Sequence, residues 1–225
     1  LTRLPQKPAE RGSQRWLQQA VESAPALLQP PRWPALEWRS PRRTDDFAEY
    51  MDAGFLEVLG LGHLGPALAG FWPRSGPRWD GLAVFPGGVV LVEAKAHIAE
   101  AISTPCAAGP DSARMIADSL MRAKRALGAD DRSDWTRVLY QYANRLAHLW
   151  FLREQGVDAR LLFVDFLNDA ERGGPAHAES WAAAYAMADH ALGLPAAHPL
   201  RGAIAHVHPD VRAIADTLSP APPAR

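Results

Sequence analysis

Asp80, Glu93 and Lys95 are the residues of this 225-residue chain whose types and spacing could do chemistry together. Two carboxylates can share a divalent cation, and an amine beside them can orient a water, which is the equipment for hydrolysing a phosphate ester. The three meet only if residues 79–95 form a hairpin. Two runs rich in valine and leucine flank Pro86, Gly87 and Gly88, a strand–turn–strand signal. With Pro86 and Gly87 central to the turn, Phe85 faces Gly88 and, pair by pair, Asp80 arrives opposite Glu93. Lys95, two residues on, then shares the face of Glu93. A slip of one residue would send these charges to opposite faces.

Both faces of these strands are apolar, with Leu82 and Val84 on one side and Ala83 and Phe85 on the other. Strands of this kind lie in the middle of a sheet, and an unpaired charge buried there costs several kcal/mol. Glu93 and Lys95 could pair with each other, which leaves Asp80 without a partner. A cation between Asp80 and Glu93 would neutralise both, and hard oxygen ligands suit Mg²⁺.

The elements that must position the hairpin follow from apolar periodicity. Thr44 or Asp45 caps a predicted helix over 45–59, with Phe47, Met51, Phe55, Val58 and Leu59 on its buried side. Glu49 and Glu57 sit on nearly one face of it, so either could point at the charged end of the hairpin. A second helix is expected over 111–127 and a third over 133–155, the latter with Trp135, Val138, Leu139, Tyr142, Leu146, Leu149 and Trp150 as its stripe. Gln141, Arg145 and His148 fall at i, i+4 and i+7 along one edge of that stripe. Residues 161–167 form a short apolar run that reads as a buried strand added to the hairpin. A helix over 179–192 and a strand over 203–208 complete the domain, and the proline- and alanine-rich tail 219–225 is expected to fray.

Residues 1–43 are rich in proline, arginine and tryptophan, with a helix expected over 13–24 between Ser13 and Pro25. Their local positive charge suits a nucleic-acid backbone, or else they are an arm packed down through Trp16, Trp33 and Trp38. The expected organisation is this arm, a core over 44–170, an elaboration of the same domain over 171–218, and the tail. The formal net charge of −1 carries no global nucleic-acid signature. One cysteine, Cys106, excludes an internal disulfide and a cysteine-rich zinc site. No apolar run reaches the roughly 20 residues of a membrane span, so a cytoplasmic protein is expected. There is no P-loop and no nucleophile-elbow serine.

Two patterns compete with the hairpin. Gly60, Gly62 and Gly65 match the spacing of a dinucleotide-binding loop, but a helix rather than a strand precedes them and Pro66 and Pro73 leave little room for a crossover helix. His206, His208 and Asp210 could hold a metal at the end of the last strand.

Asp80, followed on the next strand by Glu93, Ala94 and Lys95, resembles the PD-(D/E)xK nuclease superfamily, the restriction-endonuclease-like fold. That family's core is a helix, a three-stranded meander, a helix and a strand, and the resemblance covers roughly residues 45–167. It implies an α/β fold with a central mixed sheet flanked by helices. It implies Asp80 and Glu93 as metal ligands, the Ala94 carbonyl as a third, Lys95 positioning the attacking water, and Mg²⁺ or Mn²⁺ as cofactor. Glu57, with Glu49 in reserve, would be the first-helix acid, and Gln141 the helical partner of the site. Arg78, His97, Asn144, Arg145 and His148 are expected near the substrate phosphates. The implied activity is hydrolysis of phosphodiester bonds in nucleic acid, DNA before RNA, with a homodimer if both strands are cut. The alternative is a binding module of the same fold without catalysis. Two features depart from the family pattern. Trp79, not proline, precedes Asp80, and only two meander strands are evident, the third being irregular or lying between residues 67 and 79.

Overall fold

The computed structural model describes residues 2–131 and 133–218, so the tail 219–225 lies outside the described residues. In chain order its elements are β1 (Arg3–Leu4), α1 (Gly12–Ser23), β2 (Glu37–Ser40), β3 (Glu49–Tyr50), α2 (Ala53–Val58), α3 (Gly65–Ala69), β4 (Gly81–Phe85), β5 (Gly88–Lys95), α4 (Pro110–Ala126), α5 (Tyr140–Glu154), β6 (Asp158–Asp165), α6 (Ala178–Ala191), β7 (Ile204–Val207) and α7 (Val211–Leu218). Five strands form one mixed sheet in the order β2-β4-β5-β6-β7, while β1 and β3 pair in a separate ribbon. β4 runs antiparallel to both its neighbours, β2 and β5, and β5, β6 and β7 run parallel.

The hairpin has the register its turn predicts. Phe85 pairs with Gly88 and the ladder runs to Gly81 opposite Val92, so the next pair outward is Asp80 and Glu93. Gly87 takes φ +87°, the left-handed second corner of a turn whose first corner is proline. Gly88 is required for a different reason: a Cβ there would lie 2.1 Å from the ring of Phe85 and 2.4 Å from the Asp158 carbonyl.

Side-chain alternation then sorts the sheet into two cores. Val90, Val92, Leu162 and Val164 face one way, against Trp16, Leu17 and Val21 of α1 and Val211 and Ile214 of α7. Val89, Leu91, Leu161 and Phe163 face the other, against Leu146 and Leu149 of α5, Phe55 of α2, Leu68 of α3, and Trp181 and Tyr185 of α6. Asp80, Glu93, Lys95, Asp165 and His206 belong to this second face by the same period of two.

Three expectations are corrected here. The third meander strand is β2, from within the first 43 residues, and not a segment between 67 and 79. Its Trp38 and Ser40 point inward while Glu37 and Arg39 face solvent. The N-terminal segment is thus part of the fold, with Trp16 and Trp38 buried and Trp33 half-buried. The helix expected over 45–59 starts only at Ala53, because Asp46, Phe47 and Asp52 all adopt positive φ. Asp45 caps nothing; it accepts hydrogen bonds from Arg3 and the Tyr50 hydroxyl. The helix expected over 133–155 begins at Tyr140, since Leu139 is left-handed and Ser133 and Trp135 are tied by hydrogen bonds to the Leu192 carbonyl. The glycine-spaced stretch 60–65 is a capping turn between α2 and the five-residue α3, with no strand before it. No helix among the described residues is long and apolar enough to cross a membrane.

Candidate active site

The site forms where β4 and β5 part company. Beyond Gly81 the chain leaves β4 so that Trp79 bridges to Tyr50, and the Trp79 N–H bonds to the Tyr50 carbonyl at 3.0 Å. The edge of β5 at Ala94 is left facing a gap. Asp80 fills it: its Oδ2 accepts the Ala94 N–H at 2.8 Å. The N–H and C=O of one residue point to the same side of a strand, so the Ala94 carbonyl faces this gap as well.

Glu93 is 1% exposed and both its oxygens are engaged. Lys95 Nζ donates to Oε1, and Arg145 Nε donates to Oε2 at 2.5 Å. Lys95 also donates to Gln141 Oε1 at 2.9 Å. Gln141 lies in the first turn of α5, whose backbone there is capped from a distance: the Gln141 N–H donates to Ser103 Oγ at 2.8 Å. Arg145, one helical turn further, also donates to the Arg78 carbonyl at 2.7 Å and to Asn144 Oδ1 at 3.0 Å, and its guanidinium lies 4.6 Å from the centre of the Trp79 ring.

These contacts set the protonation states. Burial pushes the Glu93 carboxyl up, but Arg145 and then Lys95 outweigh it and hold the group below the usual carboxylate range. Lys95 is pushed down by burial and more than restored by Glu93 and Asp80, ending above the ordinary amine value. Among the described residues no cation pairs directly with Asp80. Burial, then the neighbouring Glu93 charge, pushes it up to about 7, although part of its surface still reaches solvent. Among the described residues, Ala94 N–H is the one hydrogen-bond partner of the Asp80 side chain, so Oδ1 keeps its lone pairs.

The remaining expected residues divide. Glu49, the reserve acid, sits on β3 beside the site: burial raises its carboxyl, while the charges of Arg78, Arg145 and Glu93 all act on it. Glu57 does not reach the group. It is exposed on α2 with its stem beside Gly62, so the acid nearest the site comes from β3 and not from a helix. Asn144 supports Arg145 and is itself buried. His148 points away from Glu93 into a cage of Phe55, Phe71, Trp72 and Trp79, bonded through Nδ1 to the Asn144 carbonyl at 2.8 Å. Its expected role at a phosphate is therefore replaced by packing behind Trp79. His97 turns toward Glu100 and Arg172. The Arg78 side chain is exposed.

Sequence reasoning missed a neighbouring cluster. Asp165, in register with Lys95 on the adjacent strand and fully buried, accepts from the Tyr185 hydroxyl at 2.9 Å and pairs with His206 Nδ1 at 2.8 Å. The one signal was an aspartate inside the apolar run 161–167. His206 is thus held by Asp165, while Asp210 bonds Arg212 and Asn168, so the trio of His206, His208 and Asp210 is not gathered on one ion.

A cavity of about 440 Å³ opens over Glu93, Lys95 and Gln141. Among the described residues no cluster of three or more His, Cys, Asp or Glu side chains could hold a metal by itself. What fits at the gap is an ion that takes one or two carboxylates and a carbonyl and keeps its waters, which is the habit of Mg²⁺. Asp80 Oδ1, the Ala94 carbonyl and the unused lone pairs of Glu93 could supply such a donor set. Comparison with family models, curated proteins and solved structures finds no match to this chain. The fold and site define an α/β protein whose five-stranded mixed sheet presents an acidic and basic group at the end of its central hairpin.

Proposed function

We propose that the protein is a metal-dependent nuclease that hydrolyses phosphodiester bonds of nucleic acid, DNA in preference to RNA, on a restriction-endonuclease-like core. One observation carries the reading: at the end of one hairpin Asp80, from β4's entry, bonds the Ala94 N–H, while Glu93 and Lys95 of β5 and Gln141 of α5 are hydrogen-bonded in series and line one cavity. The chain order supports it. With the short elements 43–69 and α4 set aside, the chain runs α1, then the antiparallel β2, β4 and β5, then α5, then the parallel β6.

Asp80, Glu93 and the Ala94 carbonyl would hold Mg²⁺ or Mn²⁺. A cation bound there supplies a more acidic water and neutralises charge on the phosphoryl oxygens. Lys95, kept protonated by Glu93 and Asp80, donates to the attacking water or to a phosphate oxygen. Gln141 fixes the direction of Lys95 by accepting one of its three protons. Arg145 holds Glu93 in place from behind and is itself held by Arg78 and Asn144. Glu49 adds negative charge at the outer edge, where it favours a second cation.

The test is a cleavage screen over single-stranded, duplex, nicked and branched DNA and over RNA, in Mg²⁺ and Mn²⁺. Cleavage of at least one substrate is expected, lost in EDTA and lost in Asp80→Ala and Lys95→Ala. A folded protein that cuts none of them sinks the reading. A second reading, a nucleic-acid- or protein-binding module without catalysis, has one observation behind it: both Glu93 oxygens already carry a cationic side chain. On that reading Asp80→Ala and Lys95→Ala leave binding intact, and titration with Mg²⁺ or Ca²⁺ finds no site.

A further inference from the structure

Three of the six large apolar side chains left exposed among the described residues, Ile102, Val138 and Met187, stand on the rim of the cavity over Lys95. They come from three separate segments: the loop after β5, the turn before α5, and α6. The cavity floor between them is aromatic. Tyr142, Phe163 and Tyr185 touch one another, with ring centres 5.0–5.6 Å apart. Both tyrosine hydroxyls are tied down, Tyr142 to Asp189 at 2.8 Å and Tyr185 to Asp165 at 2.9 Å, so the rings are fixed. One wall is polar, formed by Lys95 and Gln141, with the Arg137 side chain also lining the space. Its volume of about 440 Å³ lies in the range of small-ligand pockets.

A pocket with a cationic, hydrogen-bonding end and a rigid apolar body fits a ligand that joins an anion to a flat ring. We propose that it is a nucleobase subsite: it takes an unpaired base of the strand whose phosphate lies at Lys95. This rests on the nuclease reading and narrows it. A base stacked in a closed duplex cannot enter, so the substrate is single-stranded nucleic acid or a frayed or flapped end. The placing of Lys95 and Gln141 at one wall of an otherwise apolar cavity is the argument for a nucleotide strand over an apolar partner, which would leave that cationic wall unmatched.

The probe is a short fluorescein-labelled single-stranded oligodeoxynucleotide, with its blunt duplex, an abasic version and a nucleoside monophosphate as the other arms. Binding to the full chain is read by anisotropy in Ca²⁺. Ala184→Phe fills the cavity from α6, and Met187→Asp charges its rim at an exposed position where folding is tolerant. The single strand is expected to bind wild type more tightly than the duplex. Each variant is expected to weaken single-strand binding roughly five- to a hundredfold, the share of one stacked base, and to leave the duplex unchanged. The abasic strand should bind wild type as weakly as the intact strand binds Ala184→Phe. Equal binding of intact and abasic strands overturns the proposal, as does wild-type affinity in both variants. A monophosphate that competes as well as the strand reassigns the pocket to free nucleotides. A dimer in light scattering that Met187→Asp dissolves reassigns the rim to a second copy of the chain. Cleavage is read separately. Base-independent binding with cleavage intact removes the subsite alone, whereas base-dependent binding with no cleavage of any substrate removes the nuclease reading alone.

Discussion

Replacing His148 by phenylalanine should make the protein more resistant to acid. The imidazole is 1% exposed in its cage of four aromatic rings, and burial pushes its pKa from 6.5 down to about 3. The unfolded chain takes up a proton below 6.5, while the folded protein refuses it until about 3. Stability is therefore lost as pH falls through that window, and none of this component is lost above it. At about 1.36 kcal/mol per pH unit, the full window is worth about 4–5 kcal/mol. Phenylalanine keeps the contacts with Phe55, Phe71, Trp72 and Trp79 and cannot titrate. It gives up the hydrogen bond to the Asn144 carbonyl, worth about 1 kcal/mol. At pH 8 the variant should equal wild type or trail it by about 1 kcal/mol, and at pH 4 it should lead by about 2 kcal/mol. Urea unfolding followed by tryptophan fluorescence, at half-unit steps of pH, reads the difference directly, since Trp72 and Trp79 line the cage. Curves that stay parallel from pH 8 to pH 4, with equal m-values, refute the reasoning.

Other perturbations test the site itself. Arg145→Met leaves Glu93 buried with one cation and should cost roughly 3–5 kcal/mol in urea unfolding, most of it recovered when Glu93→Gln is added. Absence of coupling in that double-mutant cycle would mean the pair is not formed. Mg²⁺ at about a hundredfold excess over its Kd should raise stability by about 2.7 kcal/mol, and Asp80→Asn should abolish the rise. Because Asp80 keeps its proton up to about 7, cation affinity measured by calorimetry should fall as pH drops below that value, about tenfold per pH unit. A flat profile would place the ion elsewhere. Gln141→Ala should lower kcat roughly ten- to a hundredfold with little change in KM, as loss of a positioning contact does. A change confined to KM would assign Gln141 to substrate binding instead.

The hairpin was legible because two independent signals agreed, the apolar period and the Pro86-Gly87 turn, and the turn fixes the register that joins Asp80 to Glu93. Helical spacing likewise put Gln141 and Arg145 on one line, and both reach the site. It could not reveal that Arg145 completes Glu93, because which strand a helix covers depends on contacts distant in sequence. His148 shares that line yet lies in the cage, where α5 is buried on more than one side. β2 was hidden because half its residues are charged and it sits among prolines. Glu49 was assigned to a helix since Phe47, Met51 and Phe55 recur at helical spacing. Backbone conformation at Asp46, Phe47 and Asp52 overrides that period, and periodicity carries no information about left-handed residues.

Arg145 reaches back 52 residues to Glu93 and 67 to the Arg78 carbonyl. Long closures of this kind form late, after the local hairpin, because the chain must lose the entropy of the whole intervening loop first. A ribosome-bound chain that has folded only its hairpin already carries Asp80, Glu93 and Lys95, but Glu93 is unanchored and Lys95 lacks Gln141. Assembly of this cluster is thereby coupled to completion of the fold: a half-made or partly unfolded molecule lacks it.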